Sequence, residues 1–255
     1  MCLVSAMPPA VLITGAAKRI GAVLARRFAD AGWHVVLHHG QSGAEARALA
    51  AQFDSAETVG CDLADTGAGL AMVEDLAARL PDWRVLVNCA AVFEEDTASA
   101  IDPAVFNRAM AINAHTPAAM TQAFLRLATS AGGRRAIQFL DQKLLNPNPD
   151  FYSYTMAKHA LAATVAMQAM ATPDPRDRVY GLAPGAMLPS FDQLDHEHEV
   201  SGRMNLLGRL TAPEELADAA LFLSAGWLAS GETIFVDSGQ HLLAQPRDVL
   251  YLARL

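Results

Sequence analysis

AVLITGAAKRIGAVLARRFADAGWHVVL, residues 10–37, decides the fold. Residues 10–14 (AVLIT) are a short apolar run that stops at Gly15. From near Ile20 to about Ala31 the apolar positions recur at helical spacing. Residues 33–37 (WHVVL) are a second apolar run, so strand, helix and strand follow one another as a βαβ unit. GAAKRIG, residues 15–21, is then a strand-to-helix turn. The backbone N–H groups at such a helix start favour a bound phosphate. A dinucleotide loop of the usual form carries three glycines, and here Arg19 stands where the middle one is expected. Two readings stay open. Either this is an ordinary turn with exposed Lys18 and Arg19, or it is a cofactor loop that adds a positive side chain near the phosphates.

The second strand ends in His38-His39-Gly40-Gln41-Ser42. An NAD site generally places an acid here for the adenosine ribose hydroxyls. No acid appears before Glu45. An acid would repel a ribose 2′-phosphate, whereas His38, Ser42 and Lys18 would not. NADPH is therefore expected ahead of NADH, which stays possible. The adjacent histidines have no further ligand at metal spacing and are expected to be solvated or to face phosphate. No metal site is expected, and the acidic His196–His198 run lacks a second ligand cluster.

Further on, residues 58–61 read as a third strand followed by Asp62 and Leu63, candidate adenine contacts. Asp62 suits equally well a cap for the next helix, which runs to about Leu80. Residues 85–88 (VLVN) are a buried strand leading into CAAVF, residues 89–93. Small residues past a strand end let a flat ligand approach the backbone. Phe93 either stacks on an aromatic substrate or packs the loop. A long helix is expected over about 103–130, with Asn113 inside it, where it suits holding a water or a backbone group, and a kink at Pro117.

Residues 134–140 read as a fifth strand, and Asp141 follows at its C-terminal tip, where open α/β sheets bind ligands. After a non-helical Asn-Pro-Asn-Pro loop come Tyr154 and Lys158, at i and i+4 on a helix, so both project from one face. Tyr-x-x-x-Lys alone is a weak signal. A phenol beside an ammonium ionises more readily, and such a tyrosine passes protons near neutral pH. Residues 179–182 form a sixth strand that ends at Ala183-Pro184-Gly185, and residues 232–236 a seventh. Residues 212–224 read as a helix with Pro213 in its first turn. Residues 186–207 read as a substrate lid. The amphipathic tail, 245–255, is expected to dock on its own body or on a neighbour. Helices between successive strands give an α/β class: one Rossmann-type domain over 1–255, a doubly wound parallel sheet of about seven strands with helices on both faces.

Composition bounds the rest. Of 255 residues, 52% are hydrophobic and 18% charged, enough for a large core and sparse enough in surface charge to suit partial cover by other subunits. The formal net charge of −8 argues against nucleic acid or an anionic membrane as a partner. Cys2, Cys61 and Cys89 have no metal-ligand spacing and fit a reducing, cytoplasmic setting. The N-terminus lacks the form of a signal peptide, and no apolar run reaches the roughly 18 residues of a membrane helix.

With the glycine loop, Asn88-x-Ala90, Asn113, Tyr154-x-x-x-Lys158 and Pro184-Gly185 in this order, nearly the whole chain resembles the short-chain dehydrogenase/reductase family. The resemblance implies hydride transfer with a nicotinamide cofactor. It makes Tyr154 the proton donor, Lys158 the group that lowers its pKa and holds the nicotinamide ribose, and Asn113 the support of a water relay to Lys158. Gly15, Arg19, Ile20, Asp62, Asn88, Ala90, Pro184 and Gly185 fall at cofactor-contacting positions. Asp141 replaces the family's usual serine and Arg19 its usual glycine. Both changes, with TGAAKRIG and YTMAK, resemble the pteridine reductase branch, which includes dihydromonapterin reductases. In that branch the loop arginine faces substrate and cofactor phosphate, the aspartate joins the tyrosine in proton relay, and a phenylalanine at the position of Phe93 sandwiches the pterin. Ala91 and Gln41 depart from that branch, which often has Ser and Arg there, and Ser238 replaces a glycine in the turn after the last strand. The expected partner is a small pterin-like or carbonyl substrate. The resemblance also implies a homotetramer with the helices beginning near Pro103 and Tyr154 at one interface. Other expectations left open are reduction of a different small carbonyl or imine, or dinucleotide binding without catalysis.

Overall fold

The computed structural model describes residues 8–190 and 192–255. Residues 1–7, with Cys2 and the start of the stretch read for a leader, lie outside the described residues, as does Phe191 of the 186–207 segment.

Seven parallel strands form one sheet in the order β3-β2-β1-β4-β5-β6-β7. They are β1 (Ala10–Ile13), β2 (His34–His39), β3 (Ala56–Gly60), β4 (Trp83–Asn88), β5 (Arg135–Phe139), β6 (Arg178–Pro184) and β7 (Thr233–Val236). The centre of the sheet is apolar on both faces, as a sheet covered by helices on both sides requires. Alternation sorts the side chains. Leu12, Val36 and Leu86 enter the layer packed by α3 (Thr66–Arg79), α5 (Thr116–Leu127) and α6 (Tyr152–Ala171). Val11, Ile13, Val35, Leu37 and Val87 enter the other, against α1 (Arg19–Asp30), α2 (Gly43–Ala50) and α8 (Pro213–Ser224). The chain reverses its direction of winding between β1 and β4, so the tips of those two strands flank the crevice in which such sheets bind ligands.

The expected single helix over 103–130 is broken. It consists of α4 (Pro103–Met110), a π turn over Ala111–His115, and α5. The break falls just before Pro117, and its cause is chemical. A regular helix would bring the N–H of residue 117 to the Asn113 carbonyl, and proline has none. The short, Ala-rich α2 carries no periodicity strong enough to stand out in the sequence. Asp65, not Asp62, caps α3, its carboxylate accepting from Ala68 N.

The segment after β6 contains α7 (Asp195–Gly202), and the tail contains α9 (Val249–Leu252). The tail docks on the chain's own body: Arg247 pairs with Asp150, and Arg254 with Asp192 and Glu197. Among the described residues no helix is long and apolar enough to cross a membrane.

Candidate active site

The turn after β1 is built for close approach. Gly15 has φ +68° and Arg19 φ +52°, so Arg19 holds the left-handed backbone that a glycine adopts without strain. A Cβ on Gly21 would lie 2.2 Å from the Gly15 carbonyl oxygen, so only glycine fits there. α1 starts without a side-chain cap, which leaves its first amides open to an anion. Lys18 reaches back to Glu45 at 2.7 Å. Arg19 crosses the cleft mouth and donates to the Pro189 carbonyl at 2.9 Å, tying the loop to the 186–207 segment.

The tips of β1, β4, β5 and β6 open on a cleft of about 560 Å³. Gly15, Lys18, Arg19 and Ile20 line one side, Ala90 and Phe93 another, and Pro184 and Gly185 a third. Asp141, Tyr154 and Lys158 meet within it. The Tyr154 hydroxyl donates to Asp141 Oδ2 at 2.9 Å, while Asp141 Oδ1 accepts from Lys143 N at 2.8 Å. Lys158 donates to the Phe139 carbonyl at 2.6 Å, and its ammonium lies 5.6 Å from the Tyr154 ring centre. Burial raises the Asp141 carboxyl above the ordinary range, and Lys143 draws it partly back. Burial lowers Lys158 to about 8. Tyr154 is pushed well above its usual value by burial and by the neighbouring carboxylate. The expectation that Lys158 makes this phenol more acidic is therefore corrected. The lysine proton is committed to a backbone carbonyl, and the carboxylate is the closer charge.

Phe93 stacks on Phe151 with ring centres 3.9 Å apart and meets Tyr154 edge-on at 4.8 Å. It packs the loop and lines the cleft at once, so the two sequence readings are not exclusive. Its loop is clamped from below: Asn113 accepts from Val92 N at 2.9 Å and donates to Val92 O at 2.8 Å. The Asn113 side chain thus holds backbone.

A family model described as enoyl-(acyl carrier protein) reductase matches residues 15–241. Pteridine reductase 1 of Leishmania tarentolae is 28% identical over 92% of this chain and 96% of its own length. Short-chain dehydrogenase reductase 5 of Arabidopsis thaliana is 30% identical over 91% of each. The chain belongs to the short-chain dehydrogenase/reductase family. It is an oxidoreductase of that family, and a pteridine reductase is among its relatives. Among solved structures, FolM alternative dihydrofolate reductase 1 of Brucella canis, complexed with NADP, superposes with a TM-score of 0.86 at 30% identity, covering 94% of this chain and 96% of that one.

Three of the expected cofactor contacts, His38, Asn88 and Leu63, have buried side chains. His38 is buried; it accepts from Gly15 N at 3.2 Å through Nδ1 and faces the Cys61 carbonyl at 3.2 Å through Nε2. Burial lowers it to about 4, so it is a neutral strut under the turn and faces no phosphate. Asn88 points inward and donates to Pro117 O, Thr121 Oγ1 and Gln138 Oε1, joining β4 to α5 and β5. Leu63 turns its side chain into the core beside α3 and α5, leaving only backbone for a ligand. Asp62 accepts from Ala64 N within its own turn at 2.9 Å, and Ser42 caps α2 without a side-chain bond. Both stand at the outer strand tips, away from the main cleft.

The structure adds groups that sequence reasoning missed. Lys143 and Asp248 line the same cleft and pair with each other. Asp96 reaches across to α6, whose N-cap Phe151 offers no side-chain cap, and accepts from Ser153 N at 2.9 Å. The only sequence signal for Lys143 was its place two residues after Asp141. Asp248 had none.

Proposed function

We propose that this protein is an NADPH-dependent reductase that adds a hydride and a proton across a C=N bond of a dihydropterin-like substrate. The observation that carries this reading is the contact between the Tyr154 phenol and the Asp141 carboxyl, 2.9 Å apart, in a cleft that Phe93 also lines.

The chain fits a nicotinamide dinucleotide. The left-handed backbone at Gly15 and Arg19, the space that only glycine leaves at residue 21, and the uncapped start of α1 make a cradle for phosphates. Lys18, Arg19 and Ile20 would hold the phosphates, Ser42 the adenosine ribose side and Asp62 the adenine. Ala90, Pro184 and Gly185 would carry the nicotinamide half through their backbone, with Lys158 on its ribose. Bound there, NADPH supplies the hydride.

The remaining chemistry belongs to the chain. Reduction of a C=O or of a C=N bond takes up one proton with the hydride, so the tyrosine must be recharged in both. A serine at residue 141 could offer only a neutral hydroxyl, whereas an aspartic acid can itself take up and deliver the proton that a ring nitrogen needs. Tyr154 is held neutral and keeps its proton until the nitrogen becomes basic enough to take it. Asp141, whose carboxyl burial makes easier to protonate, returns a proton to the phenolate oxygen and is refilled from solvent. The ammonium of Lys158 steadies the transient phenolate. The Asn113 carbonyl, which Pro117 cannot satisfy, suits a water that feeds Lys158. Phe93, stacked on Phe151, offers a flat wall to a bicyclic ring. The 186–207 segment, tied to Arg19 through Pro189, serves as the lid. Exposed Met156, Met167 and Met170 give α6 an apolar strip that a second copy would cover in a homotetramer.

The test is turnover. Purified protein with NADPH and dihydrobiopterin or dihydromonapterin should lose absorbance at the nicotinamide band. Activity on ketones or quinones with none on any pterin would reassign the site to carbonyl reduction. Cofactor binding without oxidation across a broad panel would leave a non-catalytic binder.

A further inference from the structure

Lys143 and Asp248 are both buried, at 3% and 7% exposure. Lys143 stands in the short 3-10 turn Gln142–Leu144, directly after Asp141, and its backbone N–H holds Asp141 Oδ1. Its ammonium pairs with Asp248 Oδ2, donates to the Asp150 carbonyl at 3.3 Å and lies 5.3 Å from the Phe151 ring centre. Asp248 arrives from the far end of the chain and is fixed on several sides. Its N–H donates to Asp150 Oδ2 at 2.8 Å, its Oδ1 accepts from Leu250 N at 3.0 Å, and the neighbouring Arg247 pairs with Asp150 at 2.7 Å. Tyr251 secures the next turn by donating to Glu95 at 2.5 Å.

A buried ammonium needs a counter-charge. Besides Asp248, two carboxylates feel its charge: Asp150, already paired with Arg247, and Asp141. Captured by Asp141, it would hold that group ionised and withdraw it from proton traffic. Captured by Asp248, it leaves Asp141 to Tyr154. We propose that Asp248 is a positioning residue for the Asp141–Tyr154 relay: the C-terminal segment holds the Lys143 ammonium so that the Asp141 carboxyl stays free to take up and release a proton. This rests on the relay described under the proposed function.

The charges facing Asp141 come from four elements. Tyr154 and Lys158 project from α6, Lys143 from the 3-10 turn, Asp248 from the tail, and the Cys89 thiol from the tip of β4 lies beside Tyr154 and Lys158. Arg19, across the cleft, is occupied with Pro189. Among these, Lys143 lowers the proton affinity of Asp141 and Asp248 raises it, the directions the proposal requires.

The experiment reads Asp141 directly, by carboxyl carbon NMR titration of protein labelled at aspartate, with Asp141→Asn assigning the resonance. The pH dependence of kcat on a dihydropterin is the second readout. Asp248→Asn keeps a side chain that caps α9 but removes the charge. It should move the Asp141 midpoint down by about one to two pH units, with about a tenfold loss of kcat per unit above that midpoint. Lys143→Met should move the midpoint up. The double variant Lys143→Met/Asp248→Asn should return it close to wild type, because no ammonium remains to capture Asp141, and Asp248→Glu should behave as wild type. A merely structural ion pair predicts instead that the double variant is no better than Asp248→Asn. An Asp141 titration unmoved by Asp248→Asn, or one in the double variant that matches Asp248→Asn, overturns the proposal. Should Asp248→Asn fail to fold, the upward shift in Lys143→Met decides. A wild type that turns over no pterin but whose Asp141 titration responds as stated would refute the substrate reading and leave this one standing.

Discussion

The phenol oxygen of Tyr154 lies 2.9 Å from Asp141 Oδ2. This pairing replaces the hydroxyl–hydroxyl arrangement that a serine at residue 141 would give, and it predicts a substrate-dependent cost of substitution. Asp141→Ser should depress reduction of a C=N substrate by about 10²–10³-fold, the scale of one positioned acid, and reduction of a ketone much less. Tyr154→Phe should abolish both while leaving the affinity for NADPH nearly unchanged. Steady-state kinetics on both substrate types with cofactor titration by fluorescence checks this. Equal losses for Asp141→Ser on both would remove the role given to the carboxyl.

Lys158 carries its ammonium in a buried place. Burial holds it at about 8 against an ordinary 10.5. A folded value below the unfolded one means that the unfolded chain binds the proton more tightly. Stability therefore rises with pH between about 8 and 10.5 and is lowest below that window. The charge costs about 3 kcal/mol at neutral pH, offset in part by its bond to Phe139 O. Lys158→Met should gain about 1 kcal/mol in urea unfolding at pH 7 and lose the rise between pH 8 and 10, while kcat falls at least about 100-fold. A variant less stable than wild type at pH 7 would contradict this account.

His38 titrates the other way along the pH axis. Its folded value is about 4 against 6.5. Below pH 6.5 the unfolded chain takes a proton that the native strut refuses, so stability falls as pH falls toward 4. At pH 5 the loss is about 2 kcal/mol. Protonation would also cost Gly15 N its acceptor, loosening the turn that approaches the cofactor. His38→Gln should remove most of the difference between urea midpoints at pH 7 and pH 5. An undiminished difference in the variant would assign the acid sensitivity to other groups.

The parts of this molecule legible in its sequence are those carried by local rhythm. Alternating apolar runs and helical stripes set the sheet, and placing Asp141 past a strand and Tyr154 and Lys158 on one helix face brought the reacting groups together. What stayed hidden depends on contacts between distant segments. Nothing near His38 or Asn88 says that their side chains turn inward, because their partners, Cys61 O and Gln138, sit on neighbouring strands. The spacing of Tyr154 and Lys158 revealed a nearby cation but not the dehydration and carboxylate that outweigh it. Asp248 lies in the C-terminal tail, and only the folded chain sets it against Lys143.

Arg19 offers a test in which stability and function part. Its φ of +52° puts a long side chain where glycine is unstrained. The backbone cost is about 1 kcal/mol, and no packing offsets it, since the side chain is exposed and makes its contact through the guanidinium to Pro189 O. Arg19→Gly should therefore leave the unliganded protein equally stable or up to about 1 kcal/mol more so, glycine's added freedom in the unfolded chain cancelling part of the gain. The same change removes the cation proposed to face the cofactor phosphates and unties the 186–207 segment. KM for NADPH and for the pterin should both rise, by about tenfold, and the rise for NADPH should shrink as salt is added, because the lost attraction is electrostatic. Differential scanning calorimetry and kinetics at two ionic strengths measure the two halves. A variant that binds both ligands as tightly as wild type would make Arg19 a surface residue that tolerates its strain without a role in the cleft.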